Sequence, residues 1–170
     1  MLVAVGGIAQ AGPIVWTLSG VTFTTGATAS GSLTYDPDTH ILSTWNIVVS
    51  GSSNPAVNFT YTPGDSTALG VNAIDAFDLS SNASPTVTFV LAFNTTLTDA
   101  GGAITSELNG SQNADGYTSL IQNATPGNGP YYETAGNFSG AGPEPGSIGL
   151  ALAGCLAFWG LRKRSRAPKA

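Results

Sequence analysis

The sequence predicts an all-β chain: an antiparallel β-sandwich or jelly roll followed by a single short C-terminal transmembrane helix. Three observations lead there. From Gly12 onward, apolar and polar residues alternate in short runs, the mark of strands buried on one face. Turns rich in Gly, Asn, Asp and Pro separate those runs, with no stretch at the period of an amphipathic helix. Finally, Gly146 to Leu161 is uncharged and apolar and runs into Arg162-Lys163-Arg164-Ser165-Arg166.

Residues 1–11 read as the back end of a truncated secretory signal peptide, with Ala9 and Ala11 forming the small-residue cleavage pattern. The β domain is expected over residues 12–136. Trp16 and Leu18 alternate with Thr17 and Ser19, and the phase then slips at Gly20 to Val21 and Phe23. A glycine at such a slip predicts a bulge. Ala29, Gly31, Leu33 and Tyr35 form the next inward set, and Asp36-Pro37-Asp38-Thr39-His40 turns the chain. Trp45, Ile47 and Val49 return, followed by Val57, Phe59 and Tyr61 and a second turn at Pro63-Gly64-Asp65. Residues 69–79 suit either a short helix or a strand, whereas Val87, Phe89, Leu91 and Phe93 are the cleanest core strand. Residues 99–116 carry Gly101-Gly102 and Asn109-Gly110 and read as a long loop with a helical turn around Glu107. Leu120, Ile121, Tyr131, Tyr132 and Phe138 supply the final strands, and residues 137–142 form a Gly/Ser linker.

Charge patterning limits the partners. Charged residues are 9% of the chain, far below the usual quarter. Nine carboxylates and no Lys or Arg lie between Gly12 and Pro143, a field that repels nucleic acid and excludes it as a partner. All five cations follow Glu144. Such segregation predicts that Arg162, Lys163, Arg164 and Arg166 fix a cytoplasmic C-terminus. Pro145 to Leu161 is seventeen residues, about 25 Å as a helix, the short end of what crosses a bilayer. The one cysteine, Cys155, lies in this run, so residues 12–136 have no disulfide.

Pro143-Glu144-Pro145, the apolar run 146–161 and the basic tail 162–170 together resemble the PEP-CTERM sorting signal of exported Gram-negative proteins. That tail is also catalogued on some ice-binding proteins. The resemblance implies a processing protease of the exosortase type acting near Pro143, Glu144 and Pro145. It further implies a transient stay in the inner membrane, then release to the cell surface or an extracellular polysaccharide matrix. The runs Trp16 to Phe23, Thr28 to Asp36 and Trp45 to Ile47 are similar to the opening of other proteins carrying such tails.

Candidate chemistry is sparse. Paired carboxylates for hydrolysis would be drawn from Glu107 with Glu133 or Asp75 with Asp78. Nucleophile-and-base designs are closed off, because the β domain offers only His40 and lacks Lys, Arg and Cys. Asp36, Asp38 and His40 at alternate positions are a weak candidate calcium loop, against ordinary turn chemistry. Four Thr-x-Thr triplets begin at Thr22, Thr60, Thr86 and Thr96 without a fixed repeat. Alternation alone produces them, with Thr outward and the central residue inward. Six glycosylation-type sequons begin at Asn58, Asn82, Asn94, Asn109, Asn123 and Asn137. The expected reading is an exported, non-enzymatic surface or matrix protein without a cofactor. The alternative is a carbohydrate-binding or adhesive module using exposed aromatics such as Trp16, Trp45, Tyr131 or Tyr132, with exopolysaccharide as the partner, although strand phase assigns Trp16 and Trp45 to the buried core.

Overall fold

A computed structural model of the chain describes residues 12–70, 75–125, 127 and 129–142. Ten strands run β1 (Ile14–Phe23), β2 (Thr28–Asp36), β3 (Ile41–Ser50), β4 (Phe59–Tyr61), β5 (Ser66–Gly70), β6 (Ala76–Ser81), β7 (Val87–Ala92), β8 (Gly101–Ile104), β9 (Leu120–Asn123) and β10 (Tyr131–Ala141). All their pairings are antiparallel.

The architecture is a single sheet that nearly closes into a barrel, not the expected sandwich of two separate sheets. Nine strands follow the order β4-β3-β2-β1-β10-β9-β7-β6-β5, with β8 paired to β10 off that path. The cause is β10. Along one edge it pairs with β1 from Phe23↔Glu133 to Val15↔Ala141. Along its other edge it serves β9 through Tyr131 and Tyr132 and β8 from Phe138 to Ala141. Hydrogen bonding is therefore continuous between the two halves. At the remaining seam, the Trp45 indole N–H donates to Ser66 Oγ at 2.8 Å, and Ser66 Oγ donates to the Thr62 carbonyl at 2.8 Å.

Alternation places the core. Trp16, Leu18, Leu33, Tyr35, Ile47, Val49, Phe89 and Ile121 are buried and face inward. The bulge at Gly20 is present: β1 advances three residues, Leu18 to Val21, while β2 advances two, Gly31 to Ala29. That extra residue, with Gly20 at φ +64°, keeps Val21 and Phe23 inward after the phase slip. Gly31 lies at φ +135°, and a Cβ there would sit 2.0 Å from the Asn46 carbonyl oxygen. Only glycine lets β2 and β3 approach this closely. Aromatic stacking fills the centre: Phe138 lies parallel to Trp16 at 5.1 Å and to Phe93 at 4.6 Å.

Several local expectations change. Residues 69–79 contribute to strands β5 and β6 rather than a helix, with residues 71–74 outside the described set. The expected loop at 99–116 begins with β8, and Ser106 bridges to Phe93 where a helical turn was expected. Asn137 to Ala141, expected as linker, is the second half of β10.

The expected transmembrane helix is corrected. Among the described residues, no helix is long and apolar enough to cross a membrane. The helical turn that lies wholly within them, Pro55–Val57, is far short of the roughly 20 apolar residues a crossing needs. The expected helix 146–161 itself lies outside the described residues, so no described element supports the inner-membrane location with a cytoplasmic C-terminus or the sorting function built on it. Pro143, Glu144, Pro145, Arg162, Lys163, Arg164, Arg166, Ala9 and Ala11 lie outside the described residues.

Candidate functional site

The sequence candidates disperse when placed in the barrel. In the β2–β3 turn, Asp36 Oδ1 accepts from the backbone N–H groups of Asp38 at 3.0 Å and Thr39 at 3.3 Å. The Thr39 hydroxyl, with these amides and His40, holds the Asp36 carboxyl below its ordinary range. His40 does not join the carboxylates. Its Nδ1 lies 3.2 Å from the Tyr35 hydroxyl, whose pKa is pushed up to about 12 by burial and by Asp36. Asp99 comes close to this turn from the β7–β8 connection, and burial plus Asp38 and Asp36 push its carboxyl up. Among the described residues, no group of three His, Cys, Asp or Glu side chains is arranged to hold a metal ion.

The proposed carboxylate pairs are not formed. Asp75 meets Asp115 instead of Asp78, and its carboxyl is raised by burial and by that neighbour. Glu133 is fully buried, with its pKa lifted to about 7 by burial against the opposing hydroxyls of Ser106 and Ser119. No second carboxylate contributes to that shift, so Glu107 is not its partner in a hydrolytic pair. Sequence reasoning missed Ser106 and Ser119, because nothing in a serine's neighbours along the chain marks it as buried. Ser119 Oγ accepts from the Ala92 N–H at 2.9 Å and donates to the Ala92 carbonyl at 3.1 Å.

The aromatics do not assemble into a flat platform. Trp16 is in the core, and Trp45 is half-buried with its indole N–H committed to Ser66. The Tyr131 hydroxyl accepts from Asn54 Nδ2 at 3.0 Å. The Tyr132 ring covers Gly110, 3.6 Å from where a Cβ would stand. Of the six sequon asparagines, Asn123 is buried and uses both amide atoms, on Ala56 and Thr125. The other five are exposed.

What the sheet does assemble is a broad outer face of hydroxyl and amide groups. Register sets Ser139 beside Thr17, Thr17 beside Ser32 and Ser32 beside Asn46, one row crossing β10, β1, β2 and β3. A parallel row runs Ala141, Val15, Thr34, Thr44, in which Thr44 Oγ1 donates to Thr34 Oγ1 at 2.9 Å. Toward the other end, the Thr22 and Thr134 hydroxyls meet at 2.8 Å, and Thr28 pairs with Thr22 and Ser50. Thr17, Ser32, Asn46 and Ser139 make no side-chain hydrogen bond to another described residue. Strands β1, β3 and β8 carry no charge, β2 carries only Asp36 at its end, and β10 only the inward Glu133. Neighbouring strands stand about 4.8 Å apart and alternate residues about 7 Å apart, so the face sets rows of neutral donors and acceptors beside the exposed apolar side chains of Val15 and Val48.

No family model, curated protein or solved structure matches the chain. The likeness of the tail to a sorting signal therefore rests on its own residues, and the reading of the barrel rests on its geometry.

Proposed function

We propose that the barrel is a non-catalytic binding module for neutral polysaccharide, docking on the outer face of β10, β1, β2 and β3. The observation that supports this reading is the uncharged row Ser139, Thr17, Ser32 and Asn46, whose hydrogen-bonding groups point to solvent. A hydroxylated polymer offers matching donors and acceptors without charge. Acidic polymers are disfavoured by nine carboxylates and the lack of any Lys or Arg between Gly12 and Pro143. Exopolysaccharide is thus the proposed partner only in its neutral forms. The aromatic version of the module is set aside, since Trp16 is core and Trp45 and Tyr131 have committed their polar atoms.

Affinity electrophoresis through gels containing neutral glucans, or anionic alginate for comparison, tests the reading. Retardation by at least one neutral polymer and none by alginate is expected. The double variant Thr17→Glu, Asn46→Glu, at positions two strands apart on that row, should lose retardation at least tenfold while keeping its melting temperature, because surface substitutions rarely move stability by more than about 0.5 kcal/mol. Equal retardation of variant and wild type, or none by any neutral polymer, would overturn it.

A further inference from the structure

Glu133 stands where β10 changes partners, between its pairing with β9 at Tyr131 and Tyr132 and its pairing with β8 at Phe138. Its side chain is 0% exposed. One carboxyl oxygen accepts from Ser106 Oγ at 2.5 Å, and the other, Oε2, has no partner among the described residues. The backbone of the same residue holds the segment that joins β8 to β9. The Asn109 N–H donates to the Glu133 carbonyl at 2.7 Å, and the Glu133 N–H donates to the Ser119 carbonyl at 3.1 Å. One residue thus fastens residues 106, 109 and 119, both ends and the interior of the connection, to the barrel wall.

We propose that Glu133 is a proton-operated latch: protonated, it holds the 105–119 segment on the barrel, and loss of the proton frees that segment. A neutral carboxyl brings no charge inside and needs few partners. An ionised one has acceptor positions on both oxygens, and here the hydroxyls of Ser106 and Ser119 are the only groups that favour it, with Oε2 left without a hydrogen bond among the described residues. Keeping an underbonded anion buried costs more than breaking a few hydrogen bonds to admit water. Local opening of the connection is the cheaper relief, because it leaves the ladders between β1, β2 and β3 in place. Burial sets the transition near neutral pH.

The surrounding titratable groups do not supply a competing charge. Strands β1, β7, β8 and β9 carry none. On the connection, Asp115 is turned to Asp75, while Glu107 and Tyr117 are only half-buried. On β10, Tyr131 reaches Asn54 and Tyr132 covers Gly110. None of these groups contributes to the shift at Glu133.

Amide hydrogen exchange of the full chain at pH 5.5 and 8.5, corrected for intrinsic rates, tests the latch. Protection at the Asn109 and Glu133 amides should fall at least tenfold at the higher pH, while protection along β2 and β3 is kept. In Glu133→Gln, both amides should stay protected at both pH values. Unchanged protection in the wild type, an equal fall in Glu133→Gln, or a uniform fall through β2 and β3 would overturn the proposal. Should Glu133→Gln not fold, carbon-13 titration of the wild-type side chain decides. A midpoint near 7 moving together with the Asn109 amide supports the latch, and a midpoint at the ordinary value of about 4.3 overturns it.

Discussion

The outer face of β1, β2 and β3 and the surroundings of Glu133 are built from similar polar residues and obey opposite rules. Outside, Thr17, Ser32 and Asn46 face water, and each can be exchanged without leaving a bond unmade. Inside, Ser106, Ser119 and Glu133 have no water to fall back on, and each hydroxyl is committed to a named atom. The same serine is thus a replaceable surface group at 32 and a structural fastening at 119. A buried polar group costs free energy unless it is bonded, whereas an exposed one is already solvated.

The largest expected effect checks that the interior is as tightly determined as this contrast requires. Phe138→Ala removes the ring stacked between Trp16 and Phe93 and should destabilise the fold by about 3–5 kcal/mol in urea unfolding. A loss below about 1 kcal/mol would mean a loosely packed centre. Next comes the pH profile. Glu133 is lifted from 4.5 to about 7 in the fold, so only the unfolded chain releases its proton between those values. The contribution of Glu133 to stability should therefore be greatest below about pH 4.5, fall by about 3 kcal/mol as pH rises to about 7, and level off above. Glu133→Gln should remove this component, as denaturant midpoints taken at several pH values would reveal.

Ser119→Ala is the sharper probe of the contrast. It leaves the Ala92 N–H without its acceptor, while the Ala92 carbonyl keeps the Glu107 N–H, and should cost about 1–3 kcal/mol. Ser32→Ala, the same change on the outer face, should stay within about 0.5 kcal/mol. Calorimetry of both variants under one buffer would erase the distinction if their melting temperatures moved alike.

Much of the strand content was legible because alternation is a local signal. Trp16 and Leu18, then Val21 and Phe23 across Gly20, show both the inward set and the bulge without any tertiary information. Closure was not legible. Alternation states which side chains point inward and is silent on which strand lies beside which, and β1 finds β10 across more than a hundred residues. That silence allowed a two-sheet sandwich to be expected where one sheet curls. At the site the limits were of another kind. A glutamate is ordinarily a surface residue, so the burial of Glu133 contradicts its type rather than following from it. Ser106 and Ser119 become informative only once Phe93, Ala92 and Glu133 are placed around them. Among the aromatic residues, strand phase placed Trp16 correctly in the core, whereas nothing local shows that Trp45 and Tyr131 serve as seam and loop contacts.

Because Phe138 on β10 supplies the face against which Trp16 stacks, a nascent chain emerging from the ribosome makes its first hairpins long before it can cover them. The β1–β2–β3 meander must wait, with its indole open to water, until β10 has been synthesised and threaded in beside it. Assembly of this kind is governed by the search for one distant partner, which places refolding in the millisecond-to-second range of nonlocal β proteins. It also makes this waiting interval the period when the unfinished molecule is most exposed to association with its own copies.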